Sequence, residues 1–175
     1  AQHGAVQSVT AAPGWGAVAL DLDTEEGRFS VWEVRDLCGI NAMRATVSAP
    51  RLGTHARWRP LVSFRVGTGT EEAILQIWAP QRRPPFQVYV LRYDGGERSQ
   101  DGALPVSLGA DGSMEVGFDW EPDGRVKIIA GGVHHYIQLS GVPTRFAISN
   151  STGEARIDPL RLGYVGAQPS CSLAD

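Results

Sequence analysis

The sequence predicts an all-β fold, a two-sheet antiparallel sandwich, and three observations carry the prediction. Apolar and polar residues alternate with period two through one run after another, as strands buried on a single face require. Clusters of turn residues separate the runs. No stretch keeps a helical apolar period long enough to supply crossover helices, so the strands must pair as antiparallel neighbours in sheets packed face to face.

The elements follow in chain order. In Val31–Arg35, Trp32 and Val34 share one face, Glu33 and Arg35 the other. Over 61–66, Val62, Phe64 and Val66 stand together, with Ser63 and Arg65 opposite. Residues 73–79 are almost wholly apolar, and their one polar residue, Gln76, shares a face with Ile74 and Trp78. Over 86–93, Phe86, Val88 and Val90 turn one way, while Gln87, Tyr89 and Leu91 turn the other. Met114, Val116, Phe118 and Trp120 alternate cleanly with Glu115, Gly117 and Asp119.

The turn Glu121-Pro122-Asp123-Gly124 then joins this strand to a return strand over 125–130, a hairpin by its P-D-G chemistry. Gly131-Gly132 leads to a strand over 133–139, with further strands expected at 145–149 and 160–165. The expected core between the sheets contains Trp32, Phe64, Val88, Phe118, Trp120 and Ile148. No repeat, low-complexity tract or linker divides the chain, so residues 1–175 read as one domain, with loose ends at 1–13 and 166–175.

Charge and composition exclude several classes. The net charge of −3 argues against a general nucleic-acid-binding surface. No apolar run approaches the roughly 18 residues that span a bilayer. Between Arg51 and Arg92, seven arginines face only Glu71 and Glu72, a local charge of +5 in a chain that is otherwise acidic. Lys127 is the single lysine, and arginine is the residue suited to gripping carboxylates bidentately. The Ala1-Gln2 start has the look of a mature end left by signal cleavage. The expected location is therefore secreted or periplasmic, where Cys38 and Cys171 would pair; two unrelated buried thiols are the alternative.

Several catalytic motifs are missing. There is no G-x-S-x-G elbow, H-E-x-x-H pair, P-loop or dinucleotide fingerprint. Glu115 and Asp119 lie four apart on one strand face, too far along it for retaining glycosidase chemistry, which wants two carboxyls about 5 Å apart. The E-x-D-x-E strand of the jelly-roll glucanases is also absent.

The polar strand faces offer more. Glu33, Arg35, Ser63, Arg65, Gln76, Trp78, Gln87 and Tyr89 all fall opposite the expected core positions. If their strands are neighbours, they line one surface on which aromatic rings pack against sugar faces while Arg and Gln bond hydroxyls and carboxylates. Arg35, Arg65, Gln76, Trp78, Gln87 and Tyr89 are the candidate substrate-binding residues. The competing reading makes Trp78 core and the arginines a solvated face.

Residues 73–96, AILQIWAPQRRPPFQVYVLRYDGG, resemble the central hairpin of the alginate-lyase-type jelly-roll polysaccharide lyases, which have a concanavalin A-like sandwich fold. In that family a Q-I-H strand is followed by a second strand ending in an L-R-Y-like run and a glycine turn. Glu33-Val34-Arg35 is similar to the end of the family's R-x-E-L-R strand, and 114–130 to its acidic hairpin. The resemblance extends loosely over residues 30–165 and implies β-elimination on uronate polymers. In that chemistry Arg and Gln neutralise the substrate carboxylate, a His or Tyr takes the proton, and a Tyr protonates the leaving oxygen.

Carried over, Arg35 matches the motif arginine and Gln76 the glutamine. Val31 stands where the first arginine belongs, and Trp78 stands where the histidine belongs. Indole cannot accept a proton. The late tyrosine-bearing strand would fall near 145–150, which offers no tyrosine. Binding groups are kept and the acid–base pair is not. His134 and Tyr136, on one strand face, are the replacement catalytic candidates against a surface role, while His55 reads as a solvent-exposed loop residue.

Asp21-x-Asp23-x-Glu25 supplies alternate carboxylates that could hold a structural Ca²⁺, although an acidic loop without an ion is the commoner case and no other cofactor is expected. The expected function is binding of an acidic polysaccharide outside the cytoplasm, without catalysis. A polysaccharide lyase is the alternative, and a structural or adhesion domain that binds protein is the third reading.

Overall fold

In the computed structural model, residues 4–9, 16–52, 61–79, 85–109 and 112–171 are described. They form β1 (Gly4–Val9), β2 (Gly16–Val34), β3 (Ala42–Leu52), β4 (Leu61–Gly67), β5 (Glu71–Trp78) and β6 (Phe86–Asp94). After these come β7 (Glu97–Leu108), β8 (Ser113–Trp120), β9 (Arg125–Ala130), β10 (Val133–Gln138) and β11 (Arg145–Gly163). No helix occurs among the described residues.

The hydrogen-bonded order is β10-β9-β8-β3-β11-β4-β5-β6-β7, with β2 also on β11 and β1 parallel to β2. This path doubles over at β11, and its two ends meet where β10 packs on β6 and β7. Residues 145–151 of β11 pair with β4 and with 29–34 of β2, whereas 153–163 pair with β3 and with 16–24 of β2. Two sheets result, and β2 and β11 run through both.

Asn150 holds the bend. Its side-chain amide donates to Leu22 O (3.0 Å), Thr24 Oγ1 (2.9 Å) and Gly153 O (2.9 Å), so a fully buried polar group is satisfied where the register shifts. A second shift lies between Ile157 and Leu160, beside Pro159, which has no N–H to give the ladder.

The core is the one the alternation predicts. Trp32, Phe64, Val88, Phe118, Trp120 and Ile148 are all buried, and Phe146 packs edge-on to both Trp32 and Phe118, at 6.4 and 6.2 Å between ring centroids. The hairpins at Gly95-Gly96 and Gly131-Gly132 place both central residues at positive φ, the two-residue turn that matches strand twist and that only glycine adopts freely. At the open rim of the sandwich, Glu71 of β5 accepts from the backbone N–H and hydroxyl of Ser140 and pairs with Arg92 of β6. Arg92 also donates to Gln138 O at 3.1 Å. This cluster clips one sheet to the other.

The structure departs from the sequence reading in its strand lengths. The strands expected at 145–149 and 160–165 are one continuous strand, and β2 starts well before Val31. Strands β1, β3 and β7 were not expected, and Gly4–Val9 lies within the expected loose end. Cys38 and Cys171 are joined by a disulfide, with 5.1 Å between Cα atoms. The acidic run at 21–25 belongs to β2 rather than to a loop, with Asp21 and Asp23 opposite Arg156 and Glu154. The side chains of Asp21, Asp23 and Glu25 lie outside the described residues, as does His55.

Candidate functional site

The sheet that contains β2 (29–34), β11 (145–151), β4, β5, β6 and β7 turns one face to the core and the other outward. Antiparallel registers set the outward residues in rows. Val31, Ser149, Ser63, Gln76 and Tyr89 form one; Glu33, Ala147, Arg65, Ile74 and Leu91 form the next. Phe29, Ser151, Leu61, Trp78 and Gln87 form a third on the other flank of the first. Neighbours in a row are about 4.8 Å apart and rows about 7 Å apart.

Five of the six binding candidates singled out from sequence therefore share one surface. Arg65, Gln76, Trp78, Gln87 and Tyr89 sit together on β4, β5 and β6, because each is two or four residues from the next outward position of its strand. The rings of Trp78 and Tyr89 lie 5.5 Å apart, tilted by 56°, and the Tyr89 hydroxyl donates to the Gln87 side-chain oxygen. Trp78 is only partly buried, whereas Ala73, Leu75 and Ile77 between the sheets are closed off. Trp78 is thus an outward residue.

The floor of this face is recessed. Ser63, Ile74, Leu91 and Ala147 are buried although they point away from the common core. Two polar atoms on it find no hydrogen-bond partner among the described residues, Ser63 Oγ and Arg65 Nε. A buried donor left unmade costs about 1–3 kcal/mol. An open cleft of about 420 Å³ runs over β11 beside them; its lining includes Phe29, Val31, Leu61, Ala147 and Ser149, with Arg65 and the Glu33-bound Arg145 among its polar members.

Arg35 stands apart. It lies at the end of β2, largely exposed, and donates from Nε to Glu33 Oε1 at 2.7 Å. Glu33 is buried and also takes Arg145 Nε and Nη2 on Oε2, both at 2.9 Å. Sequence reasoning passed over Arg145, although its place two before Ala147 on an outward-facing strand was readable.

His134 and Tyr136 are not on this face. They lie on β10, the edge strand of the other sheet, in register with Ile129 and Lys127. Tyr136 is half exposed beneath the Arg125 guanidinium, 4.2 Å from the ring centroid. Among the described residues no group of three or more His, Cys, Asp or Glu side chains could hold a metal ion.

Strand order, bent shared strands and a single core define an antiparallel jelly-roll sandwich. Solved structures of similar fold include the Crh5 transglycosylase in complex with NAG (TM-score 0.60, 8% identity, 90% of this chain and 78% of that one). Another is an alginate lyase from Pseudomonas aeruginosa (TM-score 0.57, 14% identity, 75% and 67%). A third is the galectin LEC-6 of Caenorhabditis elegans (TM-score 0.53, 10% identity, 81% and 94%). At these identities the likeness is one of fold. No protein-family model and no curated protein matches the chain.

Proposed function

We propose that this chain binds an acidic polysaccharide along the outward face of β4, β5 and β6 and does not cleave it. One observation carries the reading: a tilted Trp78–Tyr89 pair adjoins a recessed floor where Arg65 Nε and Ser63 Oγ have no described partner. Aromatic rings supply stacking area for sugar faces, and an unpaired guanidinium supplies a carboxylate grip. Gln76, opposite both Ser63 and Tyr89 in the register, adds amide hydrogen bonds.

The fold is one that a transglycosylase, a galectin and an alginate lyase also use, which supports a carbohydrate ligand without choosing it. The groups on this face favour binding over cleavage. Trp78, opposite Gln87, stands where the resembled family has its histidine, and the described residues of this face include no histidine. The Cys38–Cys171 bond fits an oxidising compartment outside the cytoplasm.

Calorimetric titration with polyuronate, run beside a near-ultraviolet assay for unsaturated uronate, tests the proposal. Saturable binding with no absorbing product is the expected result. Accumulating product would make the chain a lyase, and no affinity for any polyuronate or neutral glucan would end the carbohydrate reading.

A further inference from the structure

The cleft over β11 has a chemistry that the aromatic platform does not need. Its floor strand presents Ala147 and Ser149, small side chains in consecutive rows, and larger walls rise on both sides from β2 (Phe29, Val31) and β4 (Leu61). A trough with apolar walls therefore runs beside the proposed polymer path. At one end stands Arg65, whose Nε lacks a described partner. Ser63, wholly buried and likewise unpartnered, sits next to Ser149 in the register. At about 420 Å³ the trough is within the usual range of small-molecule sites, larger than one carboxylate requires.

We infer that the trough takes an apolar ester substituent on the acidic sugar, an O-acetyl group, while Arg65 holds the carboxylate of the same or the adjoining residue. This rests on the acidic-polysaccharide reading and narrows its ligand to O-acylated polyuronates. Charge and polarity together select this substituent. A cationic end selects an anion, and apolar walls gain from a methyl group that bare hydroxyls would leave poorly matched. The ester carbonyl also gives the Ser149 hydroxyl, which lines the cleft, an acceptor that a methyl ether would offer only weakly.

The test compares a partly O-acetylated polyuronate with the same preparation after mild alkaline de-acetylation. Wild-type protein should bind the acetylated polymer about 4- to 15-fold more tightly, the value of burying roughly one to two methyl-sized groups. Ser149→Val, which fills the trough with a residue suited to a strand, should collapse that ratio towards one, with thermal melts confirming the fold. Equal wild-type affinity for the two polymers, with binding still dependent on Trp78, overturns the acyl pocket and leaves the polysaccharide reading standing. A ratio unchanged in Ser149→Val overturns it equally. Absence of binding to both polymers removes the underlying reading and the inference with it.

Discussion

Arg35 donates to Glu33 across 2.7 Å, and Glu33 is at the same time held by Arg145. The carboxylate that occupies Arg35 is thus the protein's own, whereas Arg65 Nε has none. Arg65→Ala should weaken polyuronate binding by tenfold or more, given about 1.5–3 kcal/mol for a hydrogen bond to a charged group. Arg35→Ala should weaken it less than about threefold, as expected for an exposed charge at the rim. Titrations at two ionic strengths check this, since the Arg65 variant should also lose part of the salt dependence. Equal losses in the two variants would return the grip to Arg35.

The Trp78–Tyr89 contact gives a second expectation. Trp78→Ala should lower affinity by about 3- to 10-fold, the range of an aromatic pairing, with a small change in Tm because the ring faces outward. A loss of several kcal/mol in stability, with unchanged binding by the protein that remains folded, would make the ring a packing residue.

Phe118 tests the core. It is fully buried between the sheets and meets Phe146 edge-on, so Phe118→Ala should cost about 3–5 kcal/mol in urea unfolding. A cost below about 1 kcal/mol would contradict its placement.

Glu71 gives the chain an acid-sensitive element. Burial alone would raise its carboxyl, but the hydroxyl and N–H of Ser140 and the Arg92 guanidinium hold it below the ordinary value. A carboxyl depressed in the folded state contributes stability above its unfolded pKa of about 4.3, and that contribution fades as pH falls through the folded value. Glu71→Gln should therefore melt lower than wild type at neutral pH, with the gap closing below about pH 4. A constant gap across a melt series in pH would show that charge plays no part in the clip.

Much of this was legible in the residues. Period-two alternation placed Trp32, Phe64, Val88, Phe118 and Trp120 in the core, and the same parity placed Arg65, Gln76, Trp78 and Tyr89 on the opposite face. Other features were hidden for physical reasons. Strand β3 builds its core side from Met43, Ala45 and Val47, a weak hydrophobic signal, and β7 is a polar edge strand that carries Pro105. The joining of 145–149 to 160–165 depends on bulges, which interrupt alternation without ending a strand. The Glu33–Arg35 pair lies two residues apart and was within local reach, but nothing local could reveal that Glu33 also holds Arg145, which comes from 112 residues away.

The bend at Asn150 has a bearing on how a ligand is received. Because β2 and β11 thread both sheets and residues 145–151 are paired on one flank with β2 and on the other with β4, the strand beneath the cleft cannot lift or shear without breaking two ladders. The receiving surface is preorganised, so the entropy lost on association falls on the flexible polymer rather than on the protein. Selectivity at such a surface comes from rejecting shapes that do not fit, and a stiff ribbon rejects more sharply than a loop that can yield.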